Sequence, residues 1–505
     1  MTNHMNLMFA FTFIAIGGLL FGYMIGINSN VLTKGQLLCA DDYVGAVGTW
    51  TSWGYGQCWS LSTVTIGLLS SIGLIGAMFS TLICFRYSDD IGRKLEAQIG
   101  ALLYIVGSFV AALSPMLWGV VLGLFVYGLA IGFAMHVAPL YIAEISPADV
   151  RGALVSAKEA IIVFGMFLGF FTGWVFSLLS SDGWRLMILV GGFLAAAMFC
   201  GVAYVPQSPR YLVLLAARSG NAASEEEEAL AALTFFRGGA SDEAKEELRG
   251  LRSDVQVSLR SDREIDGLLQ KHGAQETGAF AAFANPRPLI VGCGIVTLQQ
   301  ITGQPSVLYY ATNVFKSAGF GDSSSQESVL LGLVKLVATL FTVWRVDHYG
   351  RRPLLLIGIS MMTVALAVCA AGFSTSYCTT PGLSTAECST GDLEMPRAWA
   401  IVTVAGLMVY VSGYQVGFGP IAWLLISEIF PLSVRGSALS VAAMTNFGFN
   451  VAVTFSTASL MESFGTTGLF SIFLCLSLVS LVFVLHLVPE TKGKTLEEIE
   501  AMMKA

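Results

Sequence analysis

Twelve apolar runs recur along this 505-residue chain, most of them near the roughly 20 residues a helix needs to cross a hydrocarbon core. They lie near 7–30, 63–85, 96–114, 116–142, 153–178, 184–205, 288–318, 326–346, 353–373, 398–427, 436–461 and 466–487. A bilayer offers no water to satisfy backbone polar groups, so runs of this length and number point to an all-α membrane protein with twelve transmembrane helices. Only 12% of residues are charged, about half the share of an ordinary globular chain. The runs group as six plus six around a polar segment. This divides the chain into a half at 1–205, a linker at 206–287, a half at 288–487 and a tail at 488–505. The linker holds the acidic run Glu225 to Glu228 and helix-forming stretches such as 241–252, so solvated amphipathic helices are expected there. The first run, Leu7 to Ile27, is too long for a cleavable signal peptide and has no basic leader. No Ser/Arg-rich transit peptide is evident either.

Charge sorts by side. Arg93, Lys94, Arg151, Arg210, Arg351, Arg352, Arg435, Lys492 and Lys494 fall in loops of one parity, against Lys34, Arg185, Lys316 and Arg397 in the other. The excess predicts that both termini and the linker are cytosolic. Cys39 and Cys58 share one loop on the opposite side, and Cys378 and Cys388 share another. That placement suggests one bridge per loop, with four free thiols as the alternative.

The two halves repeat one another. Asp89-Asp-Ile-Gly92-Arg93-Lys94 after the second run matches Asp347-His-Tyr-Gly350-Arg351-Arg352 after the eighth. Glu144-x2-Pro147-x3-Arg151-Gly152 matches Glu428-x2-Pro431-x3-Arg435-Gly436 with identical spacing. Pro206-Gln-Ser-Pro-Arg210 has a looser counterpart in Pro489-Glu490-Thr-Lys-Gly493. A duplicated six-helix bundle with parallel halves is the major-facilitator architecture. Asp89, Arg93, Glu144, Arg151, Asp347, Arg351, Glu428 and Arg435 are candidate gating residues, expected to pair with one another and to hold the halves together when the cytosolic side is closed.

The seventh run is the unusual one. GIVTLQQITGQPSVLYYATNVF, from Gly294 to Phe315, places two amides, Gln299 and Gln300, ahead of a break at Gly303, Gln304 and Pro305. Irregular backbone at membrane depth is tolerated only against protein or a wet cavity. Either the glutamines bond neighbouring helices across a kink, or the helix binds a polyol. In the second reading, Gly303 and Pro305 are hinge elements that let Tyr309 and Tyr310 close over a ligand.

GGLLFGY (17–23), APLYIAEISPADVRG (138–152), QQITGQPSVLYYA (299–311), GRRPLLLIG (350–358), FGPIAWLLISEIFPLSVRG (418–436) and VPETKGKTLEEIE (488–500) cover essentially the whole chain. Together they resemble the sugar porter family of the major facilitator superfamily. The appearance is nearest to the branch of plant vacuolar and plastidic glucose transporters and D-xylose–proton symporter-like proteins. The resemblance implies a monosaccharide transporter, for a hexose such as glucose or for a pentose, working by alternating access. It assigns sugar contacts to Phe21, Gln299, Gln300, Gln415, Trp423 and Asn446. Amides donate to and accept from hydroxyls, and an indole offers one N–H and a flat apolar face.

The chain departs from the family pattern at several places. Pro305 stands where an Asn is usual, Phe447 where a Trp is usual, and Gln415 where facilitative members often have Glu. Proton-coupled members carry an acid on the first span and an Arg on the fourth, where this chain has Met24 and Leu124. Two charges appear instead: Glu159 in place of a sugar-contacting Gln on the fifth span, and Lys335 in place of an Asn on the eighth. Each lies roughly 12–18 Å inside the cytosolic boundary at 1.5 Å per residue. A Glu159–Lys335 pair across the halves is expected, with two separately solvated charges as the alternative. Facilitated diffusion is the leading expectation, a proton symporter using Glu159 the alternative, and a non-transporting sugar sensor a third reading. The partners are a sugar, the lipid bilayer and, in the symport reading, protons. No nucleotide loop, metal spacing or nucleophile constellation suggests an enzyme, a cofactor, a metal or nucleic acid. The expected address is the plasma membrane or vacuole. Glu264-x3-Leu268-Leu269 also resembles an acidic dileucine sorting signal.

Overall fold

The computed structural model describes residues 5–39, 47–48, 54–55, 57–179, 182–219, 222–239, 242, 244–253, 255, 286–320, 323–378, 393–430, 435–494, 498–499 and 502–503. The N-terminal half comprises α1 (Met5–Val31), α2 (Thr63–Ile91), α3 (Arg93–Leu113), α4 (Leu117–Ile145), α5 (Ala148–Ser177) and α6 (Gly183–Tyr204). The linker contributes α7 (Pro209–Ser219) and α8 (Ala222–Arg237). The C-terminal half begins with a broken span made of α9 (Pro286–Ile301), α10 (Gln304–Tyr309) and α11 (Ala311–Phe315), ending in a π turn at Lys316–Phe320. It continues with α12 (Ser324–Tyr349), α13 (Arg351–Phe373), α14 (Arg397–Val416), α15 (Phe418–Ile429) and α16 (Arg435–Leu487).

Ten helices among the described residues are long and apolar enough to cross a membrane, against twelve runs in the sequence. Two local features account for the difference. Breaks at Gly303 and Tyr310 divide the seventh run into short helices. The eleventh and twelfth runs are joined into one 53-residue element, with Gly465 at φ 67° and ψ 174° turning the chain back between them. Twelve crossings in two six-helix halves result. Within the first half, α1 packs on α5 and α6, and α3 and α2 flank α4. Within the second, α13 packs on α14 and α16, and α9 packs on α16. The halves meet where α2 lies against α16 and α5 against α12.

The side bearing the long loops is stitched by short-range order. Strand β1 (Val47–Gly48) pairs in parallel with β2 (Cys58–Trp59), and β3 (Tyr377–Cys378) pairs antiparallel with β4 (Leu393–Glu394). A disulfide joins Cys39 to Cys58. The Cys378 side chain and the whole of Cys388 lie outside the described residues, as does the Glu264 to Leu269 stretch. Arg185 Nη1 donates to the carbonyls of Ala112 and Ser114 at 2.8 and 2.6 Å, closing the exposed end of α3.

On the terminal side, the repeat seen in the sequence becomes a repeated hydrogen-bond cluster. Arg93 pairs with Glu144 at 3.2 Å, Ser208 Oγ donates to the same carboxylate, and the Lys94 N–H donates to Gln207 Oε1 at 2.8 Å. In the other half, Arg351 pairs with Glu428 at 3.0 Å, Thr491 Oγ1 donates to Glu428 at 2.6 Å, and the Arg351 and Arg352 N–H groups donate to Glu490 at 3.1 and 3.0 Å. Gln207 and Ser208 thus occupy the places of Glu490 and Thr491. The bonds described in each cluster lie within one half. The expected joining of the halves belongs to the state closed on the terminal side; here the described Arg93–Glu144 and Arg351–Glu428 pairs each lie within one half. The side chains of Asp89, Arg151, Asp347 and Arg435 lie outside the described residues.

The linker docks on the first half. Arg237 forks onto Glu247 at 2.6 and 2.9 Å and donates to the Ile145 carbonyl at 2.8 Å, which caps the end of α4. Asn6 Nδ2 donates to the Phe235 carbonyl at 2.8 Å.

Arg351 and Glu428 are 14% and 18% exposed in their side chains. A double-mutant cycle with Arg351→Gln and Glu428→Gln should show a coupling on the order of 1–2 kcal/mol in thermal unfolding of the purified protein. Additive losses would mean that the pair contributes nothing as a pair.

Candidate functional site

The break in the seventh span places the polar groups. Gly303 takes a left-handed φ of 97°, and the Phe473 ring lies 2.3 Å from where a Cβ would sit. Only glycine meets both conditions cheaply. Pro305 then falls in the first turn of α10, where its missing N–H costs nothing. The carbonyl freed at Thr302 accepts from Tyr410 Oη at 3.0 Å, so the break is satisfied from α14.

Gln299 and Gln300 sit just before this break and are buried. Gln299 Nε2 donates to the Phe418 carbonyl at 2.9 Å, and Gln299 Oε1 accepts from Asn446 Nδ2 at 2.8 Å and from Gln300 Nε2 at 3.4 Å. Phe418 opens α15, directly after the break in the tenth span at Gly417. One amide therefore ties together α9, α15 and α16. Gln415, also buried, donates to Thr339 Oγ1 at 2.6 Å. The Oε1 atoms of Gln300 and Gln415 are buried acceptors with no protein partner among the described residues. Each such acceptor costs roughly 1–3 kcal/mol unless a hydroxyl or water donates to it.

Trp423 is 37% exposed on α15, although its neighbours Ile421, Ala422, Leu425 and Ile426 are buried. Phe21 on α1 is half-buried. Among the described residues, no hydrogen bond or ring contact ties either aromatic to the amides. Glu159 and Lys335 face one another across α5 and α12 without touching: no ion pair joins them among the described residues. Lys335, 3% exposed, holds its Nζ 5.3 Å from the centroid of the Tyr414 ring, and the Glu159 charge reaches both Lys335 and Tyr414. Met24 and Leu124, at the places of the proton-coupling pair, are buried apolar side chains.

The outer part of the seventh span is docked on the other half. Tyr310 Oη lies 2.8 Å from Ser70 Oγ, and Thr312 Oγ1 lies 3.3 Å from both Ser29 Oγ and Asn30 Oδ1. Thr63 Oγ1 donates to Glu462 at 2.7 Å at the end of the same face. All cross-half hydrogen bonds among the described residues lie on the loop side. This is the geometry of a two-half bundle closed on that side.

Sequence reasoning missed Tyr410, Tyr414, Thr339 and the Ser29, Asn30, Ser70 and Thr312 group. A hydroxyl one turn from Lys335 was the available sign for Thr339. The tyrosines had none, because an aromatic on an apolar helix reads as packing.

The whole chain, over residues 10–503, matches the family described as "Sugar (and other) transporter". It belongs to the sugar transporter family. The chain is 40% identical to D-xylose-proton symporter-like 2 of Arabidopsis thaliana, covering 97% of this chain and 90% of that protein. It is 39% identical to the plant's D-xylose-proton symporter-like 3, chloroplastic, covering 97% and 81%. Its fold matches a partially occluded inward open conformation of the xylose transporter XylE from E. coli with TM-score 0.73, at 23% identity, over 97% of this chain and 99% of that one. The chain is thus an integral membrane protein with the major-facilitator fold of a sugar transporter, not an enzyme.

Tyr410→Phe should leave the Thr302 carbonyl unsatisfied in the membrane interior and lower stability by about 1–3 kcal/mol. An unchanged melting temperature in purified protein would show that the break finds another donor.

Proposed function

We propose that this transporter carries a neutral monosaccharide, a pentose or a hexose, by facilitated alternating access. The observation that carries the reading is the convergence of Gln299, Gln300 and Asn446 beside two broken spans, with Gln300 Oε1 and Gln415 Oε1 free to accept sugar hydroxyls. Neutral polar groups bind a neutral polyol without trapping it. Phe21 and Trp423, part-exposed and apolar, suit the faces of a sugar ring. Docking of α10 and α11 on α1 and α2 gives the loop-side gate, with Gly303 and Pro305 as its hinge. The Lys and Arg excess and the Cys39–Cys58 bridge both support a cytosolic terminal side, since disulfides persist on the non-cytosolic face. Division of the chain at 206–287 into two moving halves and a docked linker belongs to the same reading. The plasma membrane or vacuole remains the proposed address; a plastid envelope is the alternative that the chloroplastic relative suggests.

The test is uptake of radiolabelled D-xylose and D-glucose into proteoliposomes, with and without an inward proton gradient. Saturable uptake of one sugar to equilibrium, unchanged by the gradient, is expected. Gln299→Ala and Trp423→Ala should each raise the half-saturation concentration, by losses of roughly 1–3 kcal/mol in contacts. Accumulation above equilibrium only under the gradient would favour symport, a reading that the plant relatives' names and the Glu159 charge near Lys335 and Tyr414 keep in play.

Glu159 and Lys335 complete the proposal as a gate pair for the terminal side. In a bundle closed on the loop side, such a pair is expected to stand apart, and it closes when the halves rock the other way. Glu159→Gln leaves the buried Lys335 charge without its opposite and Lys335→Asn leaves the half-buried Glu159 charge without its own, so each should impair transport more than the double variant does. Strictly additive losses would remove the pairing from the mechanism.

A further inference from the structure

The N-terminal half contains a group that neither the sugar site nor the gates use. Helices α2, α3 and α4 are drawn together by small residues. A Cβ on Gly132 of α4 would lie 1.9 Å from Ser80 Oγ of α2, and one on Gly100 of α3 would lie 3.3 Å from Phe133 Cβ of α4. One turn nearer the terminal side, at four residues' remove on each helix, stand Cys84, Glu96 and His136. Each of the three helices therefore contributes one side chain to a single level. Cys84 is 1% exposed and Glu96 0% exposed, whereas the His136 side chain keeps 23% of its surface open.

His136 Nδ1 lies 2.7 Å from Glu96 Oε1, and one ligand atom from each of the three residues falls within 4.8 Å of the others. An imidazole and a carboxylate alone would be an ordinary buried pair. The third donor changes the chemistry, because a thiol from a separate helix is aimed at the same point. In a tetrahedral zinc site, bond lengths near 2.0–2.3 Å put ligand atoms about 3.4 Å apart. From the present spacing, within 4.8 Å, the approach still to be made is at most about 1.4 Å.

We propose that Cys84, Glu96 and His136 form a binding site for a divalent metal of intermediate softness, Zn²⁺ in the first instance. Mixed sulfur, nitrogen and oxygen donors select this class over Mg²⁺ or Ca²⁺. The charge balances in a medium of low dielectric: thiolate and carboxylate supply two negative charges, imidazole is neutral, and the metal supplies two positive ones. Binding releases the thiol proton, and a neutral imidazole that ligates through Nδ1 keeps its N–H on Nε2, so affinity rises with pH. His136, with 23% of its side chain open, is the edge from which a fourth, water ligand would enter. Glu96 lies one turn from Arg93, so a bound metal would brace three helices beside the Arg93–Glu144 cluster.

The test uses the purified full-length protein in detergent, stripped with a chelator and titrated with Co²⁺ as a spectroscopic probe. One equivalent should produce a thiolate-to-cobalt charge-transfer band that Zn²⁺ abolishes by displacement. Four other free cysteines, Cys200, Cys293, Cys369 and Cys475, are among the described residues, so Cys84→Ser identifies the source. That variant should lose the band, and His136→Gln should weaken binding at least tenfold while retaining it. Absence of the band in the wild-type protein overturns the site, as does a band of full intensity in Cys84→Ser or of full affinity in His136→Gln. If either variant fails to fold, a Zn²⁺-dependent rise in the wild-type melting temperature that grows with pH supports the site, and none overturns it. These readouts do not involve sugar, so the result stands apart from the transport reading.

Discussion

A polar group taken into hydrocarbon must find its partner inside the protein, and both broken spans of this transporter are built around that requirement. The break after Ile301 frees the Thr302 carbonyl, and Tyr410 answers it. The break at Gly417 is followed by the Phe418 carbonyl, and Gln299 answers that one. The amide that braces the tenth span is thus also the amide proposed to meet sugar. Site and scaffold share the same hydrogen bonds. The acceptors left over, on Gln300 and Gln415, are the groups proposed to accept from a sugar's hydroxyls.

The distribution of charge suits the proposed rocking of the two halves. Arg93–Glu144–Ser208 and Arg351–Glu428–Thr491 each bind the ends of several helices within one half. Such clusters make each half a unit. Between the halves, the described hydrogen bonds on the loop side are made by side-chain hydroxyls and an amide, with Glu462 the one charged partner. Neutral bonds of this kind contribute roughly 0.5–1.5 kcal/mol each. An interface so held suits the proposed opening, which a bridging network of buried ion pairs would resist.

Much of this is legible in the sequence. The length of each apolar run is a local property of the chain, so the crossings could be read directly, including the two that merge in α16. The Gly303–Pro305 break was legible because backbone conformation at glycine and proline is a property of the residues themselves. The repeat was visible in Glu144 and Glu428, and its loosest arm, Gln207-Ser208 against Glu490-Thr491, acquired meaning only when both were seen bonding equivalent groups.

The depth of each charge along its helix is thus what the sequence alone determined, since it follows from counting residues along a helix of known rise. Which side chains meet was decided by tertiary structure. Glu159 and Lys335 have matching depths, yet no ion pair joins them among the described residues, because depth along a helix does not fix which side chains meet. Cys84, Glu96 and His136 lie on three different helices, and nothing in their spacing connects them. Their meeting is set by the rotation of each helix about its own axis, fixed where Gly132 admits Ser80 and Gly100 admits Phe133. Close packing of that kind is a property of neighbours, not of a chain read in order.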